Sequence, residues 1–279
     1  MEIMNHIVKK LIELALIEDI GAGDITTDYL IDASAEGSGY IVAKEPLVLA
    51  GLIIVKMVFH EIDSGIKFES EYNDGDEVKK GEIVLKMSGN LRALLKGERT
   101  ALNFLQRLSG IATNVRSYVG EMQGSKTRLV DTRKTIPGFR SLEKYAVRVG
   151  GAYNHRMALY DGVMIKDNHI AACGGIAKAV TTIREFVSHL VKIEVEVSDF
   201  KELDEALSVN ADVIMLDNMD LSEVSKAVKI INGRSVVEVS GSVTKEQLKD
   251  LSETGVDIIS SGSLTHQARA VDLSMRINQ

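Results

Sequence analysis

From about residue 126 onward the chain repeats one unit, a short apolar strand followed by a helix. The strands read TRLVD, DGVMIK, VKIEVEV, ADVIMLD, RSVVEVS and VDIIS, and Glu196, Asp217, Ser240 and Gly262 mark a spacing of just over twenty residues. Helix starts between the later strands are signalled by Asp199 with Glu202, Asp220 with Glu223 and Thr244 with Gln247. In each pair the first side chain takes a backbone N–H of the new helix and the second reaches back. A series of such short βα units builds a parallel barrel or a doubly wound sheet.

The strand ends choose between the two. Asp131 and Arg133 follow the first strand and Lys166 ends the second. Glu196 lies near the end of the third and Asp217 ends the fourth, while Ser240 and Gly262 follow the last two. A barrel gathers its C-terminal strand ends at one mouth, whereas an open sheet spreads them along a crevice. The barrel explains the pattern better. Period-2 alternation puts Glu194 and Glu196 on one face, and Glu238 and Ser240 likewise. An outer face covered by helices is apolar, so these carboxylates point inward and need partners. For Glu194 and Glu238, a structural ion-pair network and a part in the site stand equally open.

The first hundred or so residues differ in style. Residues 5–18 carry a helical repeat with Ile7, Leu11, Leu14, Ala15 and Ile17 along one side. Short strands and turns follow between about 37 and 90, with Asn73-Asp74-Gly75 and Lys80-Gly81 as hairpin punctuation. A long helical pattern then runs from about Leu91 to Gly124, interrupted near Ser109-Gly110. The expected fold is α/β, with an N-terminal α+β sandwich-like domain over 1–110 and a C-terminal β/α barrel domain over 111–279.

Charge is unevenly spread. The chain carries a formal −7, yet residues 131–169 hold Arg133, Lys134, Arg140, Lys144, Arg148, Arg156 and Lys166, with His155 and His169, against four carboxylates. A basic concentration inside an acidic chain suits a small, highly anionic ligand better than a nucleic acid. Aromatic content of 5% with no Trp also leaves few platforms for stacking bases. The apolar run from Leu47 to Phe59 is broken by Lys56 and falls short of the ~20 residues a membrane span needs. The lone Cys173 cannot make a disulfide within the chain or a multi-thiolate zinc site. A cytoplasmic protein, with no membrane or nucleic-acid partner, is the expectation.

At this point several segments stand together in order: GERTALNFLQRLSGIAT (97–113), DTRKTIPGFRSLEKYAV (131–147), GGAYNHR (150–156), MIKDNHI (164–170), then IEVEV, VIMLDNM and SSGSLTH. The series resembles the quinolinate phosphoribosyltransferase family, and the likeness begins at Glu18-Asp19-Ile20-Gly21-Ala22-Gly23-Asp24. The resemblance implies an incomplete parallel barrel of the type II phosphoribosyltransferases, paired as a homodimer or a higher assembly. It also implies a reaction joining quinolinate to phosphoribosyl pyrophosphate, with magnesium (Mg2+). The products are nicotinate mononucleotide, pyrophosphate and CO2, a step of NAD biosynthesis.

By the same resemblance Arg133, Lys134, His155, Arg156 and Lys166 grip the substrate anions, with Arg99 supplied by the neighbouring subunit. Lys166, Glu196 and Asp217 are the catalytic set. Glu196 and Asp217 stabilise positive charge at the ribose and serve as magnesium ligands, directly or through water. These residue types suit the task, since Arg forks pair with carboxylates and Lys offers a compact charge to phosphate. Ser240-Gly241-Ser242 and Ser261-Gly262-Ser263 are phosphate turns by position on the last two strands. The family commonly has glycine where this chain has Ser242. Arg140, Lys144 and Arg148 are read instead as surface ion-pairing residues of a helix, SLEKYAVRVGG, beside Glu143. Gly21-Ala22-Gly23 lies among carboxylates and reads as a structural turn, and His169 is open between catalysis and turn formation.

Two other functions compete. A phosphoribosyltransferase-like homologue associated with molybdenum transport would share the fold with another substrate. A biotin- or lipoyl-type carrier is suggested by DGDEVKKGEIVLKM, with Lys86 as the modified residue, but the turn-to-lysine spacing is short.

Overall fold

A computed structural model describes residues 2–278, with side chains from His6 onward. The chain opens with helix α1 (Glu2–Ile20), one turn α2 (Thr27–Leu30), strands β1 (Glu36–Ala43) and β2 (Leu47–Val48), and helix α3 (Leu52–Ile62). Strands β3 (Lys67–Glu69), β4 (Glu77–Val78) and β5 (Ile83–Asn90) lead into the long helix α4 (Leu91–Gly120). Then come β6 (Arg128–Val130), α5 (Arg140–Gly150), β7 (Val163–Ile165), α6 (Asp167–Cys173), α7 (Ile176–Phe186), β8 (Ile193–Val197) and α8 (Phe200–Ser208). The chain ends with β9 (Val213–Asp217), α9 (Leu221–Ile231), β10 (Val236–Ser240), α10 (Leu248–Glu253), β11 (Ile258–Ser260), α11 (Ser263–His266) and β12 (Leu273–Ile277).

Two compact units arise, interleaved in sequence. The first takes Met1–Arg116, Ile136–Gly151 and Gln267–Gln279; the second takes Ser117–Thr135 and Ala152–His266. Reading along the sequence places one cut at 110/111, and the outermost positions of those spans, 1 and 279, lie outside the described residues. The interleaving has a local cause. The C-terminal strand β12 pairs antiparallel with β1, from Gly39 opposite Ile277 to Ala43 opposite Leu273, in a sheet ordered β12-β1-β5-β3. Gln106 on α4 donates to the Leu273 carbonyl at 2.8 Å.

Helix α4 runs unbroken through Ser109-Gly110, where the sequence suggested an interruption. Gly110 is there for close approach: a Cβ would collide with the Arg269 carbonyl. Helix α5 is held in the same unit by Arg107, which meets Glu143 at 2.6 Å and the Ala268 carbonyl at 2.6 Å, and by Tyr145, whose hydroxyl donates to Asp74. Lys144 and Glu143 are buried, so Lys144 is not the solvated surface cation that helical spacing suggested; Arg148 is exposed. On α1 the helix is as expected but its inward stripe is Val8, Ile12 and Leu16, while Ile7, Leu14 and Ile17 are exposed. That helix is apolar on two sides, and periodicity alone could not rank them.

The second unit is the repeating half. Its six strands are all parallel in the order β6-β11-β10-β9-β8-β7, with β6 and β7 at the two ends, so the strand series stays incomplete as a barrel. All six strands read from the sequence are present, and the three paired helix starts form as expected. Asp199 accepts the Glu202 N–H, Asp220 and Glu223 exchange bonds, and Gln247 accepts the Thr244 N–H. Val195, Ile214, Leu216, Val237, Val239 and Ile259 alternate with the carboxylates, so they face the covering helices, where they are buried and supply the apolar packing.

Candidate active site

Parallel register aligns the chemical groups at the C-terminal ends of these strands. Ile165 pairs with Val195, which sets Lys166 beside Glu196, and the Lys166 ammonium forms an ion pair with the Glu196 carboxylate. Asp217 pairs with Ser240 on the next strand. Lys166, Glu196 and Asp217 are all half-buried at that edge.

Below it lies a network the sequence left unresolved. The His155 Nε2 stands 3.2 Å from Glu194 and 3.4 Å from Glu238, both carboxylates buried. The Arg156 backbone N–H donates to His155 Nδ1 at 2.7 Å. In the neutral ring that nitrogen presents its lone pair, and the proton sits on Nε2 facing the carboxylates. The buried Asp131 holds the same segment, accepting the His155 N–H at 2.9 Å and the Asn154 amide at 2.6 Å. Burial works against charging His155, but hydrogen bonds to Glu194 and Glu238 outweigh it and raise its pKa to about 10. Burial pushes the Glu194 carboxyl up, and the neighbouring Glu238 charge adds to this against the pull of His155. The three residues offer ligand atoms close enough for a metal ion. However, the raised pKa keeps a proton on Nε2, the nitrogen that faces the carboxylates, so it has no lone pair to offer a metal. The arrangement suits a shared proton better than a cation.

Two guanidiniums converge beside this bracket. Arg156 donates to the Gly162 carbonyl at 2.9 Å, and its Nε is buried without a hydrogen-bond partner. Burial, and next the charge of Arg133, lower the Arg156 pKa. Like charges brought together in a partly dry place are stabilised by an anion between them.

The two serine–glycine turns close the edge. Gly262 lies beneath the Lys134 side chain, so closely that a Cβ would stand 2.7 Å from Lys134 Cδ. Thr265 donates to the Lys134 carbonyl at 2.9 Å, fixing that lysine to the turn of Ser261, Gly262 and Ser263. At the other turn Gly241 has φ +92° and Ser242 has φ +49°, the left-handed region that costs an L-residue roughly 1–2 kcal/mol. Ser242 adopts it despite its side chain.

Arg99 is exposed on α4 in the first compact unit. His169 serves the turn: its Nδ1 accepts the Lys166 N–H at 3.0 Å. Gly21 has φ +52° and donates to the Ile17 carbonyl, ending α1 as a structural turn. Lys86 lies within β5 opposite Tyr40, not at a hairpin tip where a carrier presents its lysine. Asn154 and Asn218 escaped notice as site residues, while Asp131 was marked only as a group following its strand. Alternation flagged Glu194 and Glu238, and the family resemblance flagged His155.

Comparison with known proteins shows what the whole chain is similar to. Residues 24–109 match the family model for the quinolinate phosphoribosyl transferase N-terminal domain, and residues 111–276 match that for its C-terminal domain. The chain is 45% identical over 276 residues to a Bacillus subtilis protein named "Probable nicotinate-nucleotide pyrophosphorylase (carboxylating)", covering 98% of this chain and 95% of that one. It is 40% identical over 290 residues to "Quinolinate phosphoribosyltransferase (decarboxylating) 2b, mitochondrial" of Nicotiana tabacum, covering 97% of this chain and 82% of that one. The solved nicotinate-nucleotide pyrophosphorylase from Francisella tularensis superposes with a TM-score of 0.94 at 40% identity, covering 98% of this chain and 97% of that one.

Proposed function

The chain belongs to the quinolinate phosphoribosyltransferase family, and from that premise we propose that it transfers phosphoribosyl from phosphoribosyl pyrophosphate to quinolinate with loss of CO2, forming nicotinate mononucleotide for NAD biosynthesis. The observation that carries this reading is the nearness of Arg133 to the partly buried Arg156, whose pKa is lowered by burial and then by the Arg133 charge. Quinolinate has two adjacent carboxylates, and paired forks answer them with charge-assisted hydrogen bonds. His155 completes that pocket. Lys134, seated on the Gly262 turn, together with Ser240, Gly241, Ser242 and Ser263, takes the phosphate end of the donor.

The chemistry follows from charge. The pyridine nitrogen attacks the anomeric carbon with a lone pair already free, so no general base is required. The bond to pyrophosphate breaks with its electrons, leaving oxocarbenium character on the ribose. Glu196 and Asp217 stabilise that positive charge and hold the ribose hydroxyls. Lys166, paired with Glu196, keeps this carboxylate oriented and presents a cation to the departing anion. Once alkylated, the ring nitrogen is cationic. The electron pair released as the adjacent carboxylate leaves as CO2 stays on that ring carbon, where the positive nitrogen beside it stabilises it, and the carbon then takes a proton. Positioning and electrostatics do the work.

Magnesium fits the donor set. Glu196 and Asp217 are hard oxygen ligands on neighbouring strands, and one Asp217 oxygen is already oriented by the Asn218 amide at 2.7 Å. Bound there, directly or through water, the ion would supply charge neutralisation for the pyrophosphate. We also place the enzyme in the cytoplasm as a homodimer, or a higher assembly of dimers, with Arg99 completing the neighbouring subunit's site. Exposure of Arg99 on α4 supports this, and no described helix is long and apolar enough to cross a membrane.

The test is direct. Incubation with quinolinate, phosphoribosyl pyrophosphate and magnesium yields nicotinate mononucleotide and pyrophosphate; no product, or product from nicotinate in place of quinolinate, overturns the reading.

A further inference from the structure

Between Asp217 and the turn after β10 lies Asn218, whose contacts reach beyond the Asp217 carboxylate to that turn. Asn218 has φ +56°, left-handed backbone for a residue with a side chain. Its amide N–H2 donates to Asp217 Oδ2 at 2.7 Å, and its backbone N–H donates to the Ser240 carbonyl at 3.1 Å. Its amide oxygen faces Gly241, so closely that a Cβ on Gly241 would collide with the Asn218 side chain and stand 2.6 Å from its backbone nitrogen. One side chain therefore touches a carboxylate on β9 and fills the space beneath the turn after β10.

We propose that Asn218 is a positioning residue that fixes the Asp217 carboxylate and the Ser240-Gly241-Ser242 turn relative to each other. The inference rests on the reading in which Asp217 serves the ribose and this turn the phosphate of one donor molecule. A carboxylate at a strand end has a free torsion, and a serine–glycine turn has several accessible backbones. A donor that bridges them needs both fixed at once, and preorganisation lowers the cost of holding it. Asn suits the place on two counts. Among residues with side chains it tolerates the left-handed region best, and its amide carries a donor for the carboxylate. Gly241 then has a steric reason as well as a conformational one, because only a residue without Cβ leaves room for the amide. Quinolinate, gripped by Arg133 and Arg156 on other segments, does not depend on this contact.

The test uses the full-length chain and steady-state formation of nicotinate mononucleotide with each substrate varied in turn. Asn218→Gly keeps the left-handed backbone free of strain and removes only the amide; Asn218→Asp keeps the shape but sets a carboxylate against Asp217. Both variants are expected to fold, with kcat/KM for phosphoribosyl pyrophosphate reduced about tenfold, as loss of one hydrogen bond to a charged group implies. The KM for quinolinate stays within about twofold. A working wild-type chain alongside an Asn218→Gly variant with wild-type constants, or losses shared equally by both substrates, overturns the role. A wild-type chain that forms no nicotinate mononucleotide overturns the reaction itself, and this role with it.

Discussion

His155 sits where two opposing demands meet. A site for a dianion benefits from a proton on its imidazole, while burial drives that proton off. Glu194 and Glu238 reverse the balance, and the pKa of about 10 lies well above the 6.5 of an unperturbed histidine. The sign of the consequence follows. A group whose folded value is raised contributes stability fully below about 6.5, and that contribution is lost as pH rises through about 10. In Glu238→Gln the shape is retained and a negative neighbour is removed, so the His155 ring should titrate at a lower pH than in the wild type. Imidazole proton shifts followed by NMR from pH 6 to 10 check this, and an unmoved midpoint would show that Glu238 does not hold the proton. Thermal melting across that range should lose less in Glu238→Gln than in the wild type. Lys166 makes a cleaner functional case because its side chain is 42% exposed and packs no core. Lys166→Ala should leave circular dichroism unchanged and lower turnover by about a hundredfold or more, the scale on which removal of a preorganised charge acts. A folded Lys166→Ala chain with near-normal turnover would remove this lysine from the site.

At the level of elements, Gly110 shows how context reverses a propensity. In the middle of a helix, Gly→Ala normally stabilises by about 1 kcal/mol. Here the new Cβ would enter the Arg269 carbonyl, a backbone atom that cannot rotate away. Gly110→Ala is therefore expected to destabilise by about 1–3 kcal/mol, as overpacking does. Urea unfolding measures it, and a stabilised variant would mean the C-terminal segment does not press on α4. The same glycine marks where the sequence stops being legible. Strands β6 to β11 and their helix starts were readable because each signal is local: an apolar run, then a side chain that caps the next helix. Glu196 and Asp217 were readable for the same reason, as charged groups at the ends of apolar strands. Gly110 looked like a break because its partner, Arg269, lies far along the chain. Lys144 looked solvated because its burial depends on what packs over α5, which helical spacing does not encode. Asn218 looked like part of a turn, since nothing local tells that its amide faces Asp217 on one side and Gly241 on the other.

At the level of the molecule, the question is whether one chain suffices for one site. The cations of the second compact unit, Arg133, Lys134, Arg156 and Lys166, come from a single polypeptide. Arg99 belongs to the first unit and is exposed on α4. If Arg99 serves a neighbouring subunit, damage to Arg99 and damage to Lys166 fall on different sites within a mixed dimer. Pair an Arg99→Ala chain with a Lys166→Ala chain. One site then joins the intact Lys166 of the first chain to the intact Arg99 of the second, while the other site carries both lesions. Random exchange makes half of the dimers mixed, each with one working site of two, so activity returns to about a quarter of the wild-type level. Each variant alone stays inactive. Were Arg99 to act within its own chain, every site in the mixture would carry one lesion and nothing would return. Subunit exchange confirmed by native mass spectrometry, followed by assay of nicotinate mononucleotide, separates the two cases, and an inactive mixture containing mixed dimers rules out the shared site.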